Sequence, residues 1–498
     1  MNIKQMLERT AGEVPQKTAV IFGSRRVTYH ELNEVSSRMA NALVELGVRK
    51  GDHIALLMSY SPEWLINYFG IVKAAGITVV LNSMLKAPEV ATLLRDSDSG
   101  ILLTEKKYSQ ALVPHLSTIA PLKHVIEVDS DRYDGMVANG SPIPPVIDIQ
   151  EEDETAIIYA LGALGRQKGI VHTHASLTGA LGLMSSAMEQ DREDVIINPV
   201  PFFYLLGLCG AALTSILCGS ALVIIPRFTP RAILEATSEE KGTIICGVPA
   251  MYEALAGLDN EIVKEYALDS WRVALAAGAK TPSHLGKKLE DRFGITLCEM
   301  YGLTEHPLVS LNTTHNRKLG TAGRPVCGIK VLDDNGAELP QGEIGEAVVR
   351  APWSMKGYYK MPDLTSQVIR DGWFHTGDLV RLDEDGYLEY IGKKLPIIVT
   401  SAGTKIQPAE VESVLLQHPS VAEAAYVGIK DEHGGQTPTA FVVLREGHGV
   451  TKGEIRSFCR RSLANYKLPR KIEFVRNIPR TGAGEIDTTR LKEMKVAT

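Results

Sequence analysis

Apolar and polar positions alternate in blocks through the first two thirds of the chain. Helix-period stretches cover 29–46 and 61–75, and short apolar runs border them at 53–58 and 77–81. The rhythm returns around 101–104 and 125–128. Strands that alternate regularly with helices predict parallel sheets covered by helices. Gly51-Asp52 marks a turn before a strand, and the Gly/Pro-rich 140–145 reads as a linker between two such blocks. The stretch 205–225 carries no charge and is long enough to span a bilayer. Gly207, Gly210 and Gly219 interrupt it, however, and 221–225 has the texture of a buried strand, so two core elements in series are expected. Past about residue 320 the pattern changes. Short alternating runs at 326–334 and 343–350, with Asp-Asn-Gly and Gly-Glu-Ile-Gly turns, predict a small antiparallel or barrel-like unit. From about Lys393 a further unit begins, with a helix at 409–418, strands at 421–428 and 437–444, and a helix at 452–463.

Composition narrows the class. A chain of 498 residues is too long for one core, and 44% hydrophobic with 22% charged residues is an ordinary soluble globular balance. Fifty-three basic against 59 acidic residues give a net charge of −6, which argues against a nucleic-acid partner. The six cysteines are scattered singly without metal-ligand spacing, as expected of buried thiols in a cytoplasmic protein. The first residues, Met1 to Met6, lack the apolar core of a signal peptide.

Five segments carry candidate chemistry. Residues 159–169 follow the apolar pair Ile157-Ile158 and contain Gly162, Gly165, Lys168 and Gly169. A strand ending in such a loop can cradle phosphate on backbone N–H groups. Yet Ala160, Leu161, Ala163 and Leu164 donate nothing, so the segment taken alone reads better as a packing turn. Residues 299–305 combine an aromatic platform at Tyr301 with Gly302, the Thr304 hydroxyl and the Glu305 carboxylate, a set able to stack a base, bond a phosphate and hold Mg²⁺. Asp378 ends a glycine-turn segment, 371–378, suited to gripping ribose hydroxyls, and Lys393 supplies a cation further on. Ser401-Ala402-Gly403-Thr404-Lys405 opens a turn before Pro408, an ordinary helix-start residue. Finally, the Pro-Arg-Thr-Gly-Ala-Gly run at 479–484 presents one side chain at a tight loop, and that side chain is Glu485. A lysine there would aim positive charge at an anion; a carboxylate has the wrong sign.

In this order the segments resemble the adenylate-forming superfamily of acyl-CoA synthetases, nonribosomal peptide adenylation domains and luciferases. Val248-Pro249-Ala250-Met251-Tyr252 and Tyr466-Lys467-Leu468-Pro469 extend the resemblance over nearly the whole length, and 355–359 is most similar to acyl- and aryl-CoA ligases. The resemblance implies an α/β fold. Residues 1–392 would form a large N-terminal adenylate-binding domain of stacked mixed and parallel sheets with helices, its last part, about 320–392, a small barrel-like β unit. Residues 393–498 would form a small mobile α+β C-terminal domain. It further implies that Tyr301 stacks adenine, Gly278 and Ala279 line the adenylate, Thr304 contacts phosphate, Glu305 holds the metal, and Asp378 with Lys393 binds ribose. Phe203, Tyr204 and Gly207 would border the acyl pocket, Ser401, Ala402 and Gly403 would face the pantetheine of CoA, and Pro396 would sit at the hinge.

The departures from the family pattern fall on one half-reaction. The hydroxyl positions of the phosphate loop are apolar, and the family's catalytic lysine aligns with Glu485. Phosphoryl transfer needs positive charge and donors, whereas thioester formation from acyl-AMP needs mainly orientation. The expectation is therefore a non-adenylating enzyme that transfers the acyl group of a pre-formed acyl-adenylate to CoA. The alternatives are a complete ATP-dependent synthetase and a catalytically silent adenylate-binding or regulatory protein. The expected ligands are the AMP moiety of an acyl-adenylate and CoA or a carrier-protein phosphopantetheine, with Mg²⁺ only if ATP is used. The acid itself, a separate adenylating enzyme as partner and a homodimer stay open; no nucleic acid or membrane span is expected.

Overall fold

The computed structural model describes residues 1–161, 167–394, 397–432, 435–445, 447, 449–479 and 486–494. Among the described residues the βα alternation builds two large sheets, one of nine strands and one of seven. Parallel pairs run through both, for example Ile54 with Thr78 and Leu222 with Ile196. Helices Tyr29–Glu45 and Pro62–Lys73 lie in the core between the sheets. Pro62–Lys73 is apolar nearly all round and buries every residue but Glu63, as a helix enclosed on all sides must. Its lysine, Lys73, donates to the Asn33 carbonyl (2.6 Å) and to the Asn33, Ser36 and Ser37 side chains (2.7–2.9 Å). Burial nevertheless pushes its pKa down to about 7.

The uncharged 205–225 stretch folds as two core elements. A π-helical segment, Leu206–Leu213, runs into the α-helix Thr214–Cys218, and the strand Ala221–Ile224 comes after it. No described helix is long and apolar enough to cross a membrane. A smaller, antiparallel sheet comes next, built from Gly328–Leu332, Gly345–Arg350, Ile369–Arg370, Trp373–Leu382 and Leu388–Lys393. Beyond it lies a three-stranded sheet of Val421–Lys430, Gln436–Leu444 and Lys471–Phe474, covered by Pro408–Leu415 and Lys452–Ser462. All six cysteines are free thiols.

Two local expectations change. Asp378 does not end a turn; Trp373–Leu382 is one continuous strand. Phe374, Thr376, Asp378 and Val380 alternate onto its buried face, and Lys393 pairs with Asp378 across the sheet, which compensates the buried carboxylate. Residues 159–161 extend the strand Glu154–Leu161, which pairs antiparallel with Gln167–Thr173, so Lys168 lies on a strand opposite Ala160. Gly162 and Gly165 lie outside the described residues, as do Pro396 and Glu485.

Candidate active site

Three neighbouring parallel strands, Ile244–Gly247, Val273–Ala276 and Thr296–Tyr301, end side by side. The carboxyl ends of such strands are where open α/β sheets collect ligands. Each strand leads to candidate residues at that end: Val248 and Pro249, Gly278 and Ala279, then Tyr301 and Gly302. Pro249, Gly278, Ala279, Tyr301 and Gly302, together with Asp378, Lys393 and residues of the C-terminal part, wall a cavity of about 590 Å³. Thr400, Ser401, Lys405 and Gln436 close its far side. Gly278, Ala279, Tyr301, Gly302, Asp378 and Lys393 therefore meet Ser401 and Lys405 at one space, which Thr304, Ala402 and Gly403 do not line.

Tyr301 donates its hydroxyl to Asp378 Oδ2 (2.6 Å), and Lys393 pairs with Asp378 Oδ1. Burial, reinforced by Asp378, raises the Tyr301 pKa, so the phenol stays a donor. The Lys405 side chain reaches the same cavity with no hydrogen bond or ion pair of its own among the described residues. Burial first, then Lys393, weakens its hold on a proton, while Asp378 and Glu305 oppose this. Asp378 thus pairs with Lys393 while Lys405, Lys280 and Lys430 also line the cavity, a set of cations that favours an anionic ligand.

Thr304 and Glu305 are held just behind this wall. His172 donates from Nε2 to the Thr304 carbonyl (2.8 Å), and its Nδ1 meets the Ser176 hydroxyl (2.9 Å). Burial pushes the His172 pKa down to about 4, so the imidazole is neutral and acts as a strut. Glu305 accepts from the Tyr358 hydroxyl (2.9 Å). The Lys168 ammonium sits over the Tyr358 ring, 4.9 Å from its centre, and is buried with no hydrogen-bond partner among the described residues.

Glu299 lines the cavity too. Its Oε2 accepts from the Gly320 N–H (3.2 Å) and the Asn312 amide (3.4 Å). Burial outweighs these bonds and lifts its pKa to about 8. Neither Glu299 nor Lys405 was singled out from sequence. A charged residue two positions from a marked motif residue was the available signal, at Tyr301 and at Gly403 respectively.

Gly403 has φ +73°, a left-handed conformation suited to glycine, and lies against Val248. Its N–H donates to the Thr400 carbonyl (2.8 Å), which closes the turn containing Ser401 and Ala402. Phe203 packs in the central core and touches the ring of Tyr204 (4.7 Å). Gly207 permits a close approach, since a Cβ there would fall 2.4 Å from the Pro201 carbonyl oxygen. Phe203, Tyr204 and Gly207 do not line the cavity that holds Tyr301 and Asp378. No cluster of three or more His, Cys, Asp or Glu suited to a metal occurs among the described residues.

Comparison with known proteins agrees with this geometry. Residues 7–359 match the AMP-binding enzyme family and residues 410–485 match the AMP-binding enzyme C-terminal domain. A feruloyl-CoA synthase of an Amycolatopsis species is 33% identical over 485 residues, 96% of each chain. The long-chain-fatty-acid–CoA ligase FadD13 of Mycobacterium tuberculosis is 32% identical over 509 residues, 100% of this chain and 99% of its own. Among solved structures, an o-succinylbenzoate CoA synthetase double mutant of Bacillus subtilis, bound with its product analogue OSB-NCoA, superposes with a TM-score of 0.87 at 28% identity over 99% of each chain. The chain belongs to the AMP-binding enzyme family and is an acyl-/aryl-CoA ligase-type member of the adenylate-forming superfamily.

Proposed function

We propose that the chain is an AMP-forming acyl- or aryl-CoA ligase that runs both half-reactions in the cavity between Tyr301 and the 401–405 turn, with adenylation the slower half. The observation that carries this reading is the single cavity in which Gly278, Tyr301 and Asp378 meet Ser401 and Lys405. In the first half-reaction a carboxylate oxygen attacks the α-phosphorus of ATP, and the bond to pyrophosphate breaks. In the second, the CoA sulfur attacks the acyl carbon, and the bond to the AMP phosphate breaks.

The roles follow from position. Tyr301 offers its ring to adenine, Asp378 and Lys393 take the ribose, and Gly278 and Ala279 let the acyl-phosphate approach the backbone. Lys405 supplies a cation to the phosphate. Ser401, Ala402 and Gly403 border the thiol's approach. Glu305 suits Mg²⁺, because its Oε2 has no partner among the described residues and Mg²⁺ is usually held by one or two carboxylates plus substrate phosphates. Bound there, the ion would neutralise phosphate charge.

Relatives are named as a feruloyl-CoA synthase and a long-chain-fatty-acid–CoA ligase, and they favour two half-reactions over the transfer-only reading expected from sequence. Transfer alone remains the second reading, because Glu485 and the apolar 160–164 stretch are facts of this chain. Pyrophosphate exchange, measured beside transfer from synthetic acyl-AMP to CoA, tests both. Both activities, with exchange the slower, support the proposal; transfer with no exchange for any acid supports the second reading; neither activity overturns both.

A further inference from the structure

Lys467 has no exposed surface, yet it is a charged side chain between two domains. Its ammonium donates to Glu89 Oε1 (2.6 Å) and to Glu410 Oε1 (2.7 Å). Glu89 belongs to the helix Ala87–Asp96 of the large domain, and its other oxygen accepts the Lys86 backbone N–H (2.9 Å), which fixes the carboxylate at the helix start. Glu410 belongs to the helix Pro408–Leu415, which comes directly after the Gly403 turn. The Lys467 carbonyl accepts from the Tyr426 hydroxyl (2.9 Å), which ties the lysine to the three-stranded sheet. Beside it, Ala464 packs into the large-domain cluster around Leu85 and Leu94.

From this arrangement we infer that Lys467 is a positioning residue: by bridging Glu410 of its own domain to Glu89 of the other, it latches the small domain with the Gly403 turn at the cavity. The inference rests on the proposal that CoA transfer takes place there. The asymmetry of the bridge makes it a latch rather than a permanent weld. Breaking a buried pair is costly chiefly when it strands an uncompensated charge. When the domains part, Lys467 keeps Glu410, and Glu89 regains water at an exposed helix start. No charge is stranded on either side, so the contact can form and release within each turnover. Glu89 is the partner whose loss affects only the closed state.

The test compares Glu89→Gln and Lys467→Met with the parent. Glu89→Gln keeps an acceptor for the Lys86 N–H and leaves the small domain untouched, so its folding is not in question. Two readouts are needed. The first is the rate of transfer from supplied acyl-AMP to CoA beside the rate of pyrophosphate exchange. The second needs no chemistry. A Cβ on Gly403 would lie 3.6 Å from Cβ of Val248, within the range of about 3.5–4.5 Å that a disulfide spans, so a Val248→Cys/Gly403→Cys pair reports closure by its cross-linking rate. We expect Glu89→Gln to slow both transfer and cross-linking about tenfold or more, the equivalent of about 1.4 kcal/mol, while exchange is unchanged or faster. Transfer and cross-linking equal to the parent in both variants would overturn the latch. An equal loss of exchange and transfer would also overturn it, by showing a general structural role. If the parent itself transfers nothing, the functional proposal fails, and the cross-linking rates still decide the latch.

Discussion

A β-carbon on Gly403 would sit 3.4 Å from Cγ1 of Val248, at ordinary contact distance, so this turn of the small domain touches the loop after strand Ile244–Gly247 of the large one. There is room for a methyl group but not for a ring. Gly403→Trp is therefore expected to reduce acyl transfer from supplied acyl-AMP to CoA by about 10²-fold, the scale of a displaced reacting geometry. Binding of an acyl-AMP analogue, measured by thermal shift, is expected to persist. Transfer at the parental rate would remove this turn from the route of the thiol.

Adenylation should respond to charge at position 485 only when donors are also supplied. Glu485→Lys alone is expected to raise pyrophosphate exchange modestly. Combined with Ala163→Thr and Leu164→Thr it is expected to gain about 10²–10³-fold, the effect of one well-placed transition-state donor. A large gain from the lysine alone would mean that the apolar stretch matters less than its composition suggests.

Asp378 is the carboxylate shared by Tyr301 and Lys393, with Lys405 facing the same cavity. Asp378→Asn keeps the shape and leaves Lys393 without its counter-charge. The expected outcome is loss of the thermal stabilisation by an acyl-AMP analogue, which at a hundred times its dissociation constant amounts to about 2.7 kcal/mol. Lys405→Met is expected to weaken analogue binding as well, and to do so less for adenosine, which lacks the phosphate. Equal effects on adenosine and the analogue would place Lys405 away from the anion.

Glu299 predicts a pH dependence with a definite sign. Its folded pKa of about 8 lies above the ordinary carboxyl value of 4.5. The native state therefore holds the proton more tightly than the unfolded chain. Where the native state binds more protons, stability falls as pH rises. This contribution is fully present below about pH 4.5 and is lost as pH climbs through 8. Glu299→Gln should flatten the decline of Tm between about pH 5 and 8.5 expected of the parent. An unchanged slope would show that the carboxyl titrates elsewhere in the scale.

Much of the fold was legible because it rests on local pattern. Apolar runs at 53–58 and 77–81 became neighbouring parallel strands, and the uncharged 205–225 became buried helix and strand. Tyr301, Asp378 and Lys393 line one cavity. The position of Asp378 within a strand was missed because the glycines around it resemble a turn, and only the alternation of Phe374, Thr376 and Val380 betrays the strand. Lys467 was visible as part of a motif, but its partner Glu89 is 378 positions away, and no local period encodes such a pairing. The proton affinity of Glu299 was hidden for the same reason, since it comes from burial in the assembled site. The transfer-only expectation weighed single positions heavily, whereas full-length likeness to named ligases integrates over the whole chain.

The cavity draws its walls from both domains, with Gly278 and Tyr301 on one side and Ser401, Lys405 and Gln436 on the other. A mixed anhydride such as acyl-AMP is destroyed by any water that reaches it. Under the proposed function, a chamber completed by the small domain would shield the anhydride from bulk solvent during the interval in which it must wait for a thiol. The yield of thioester per adenylate spent then becomes a property of the seam between the domains, and a leaky seam would reveal itself as free acid and AMP released without any CoA consumed.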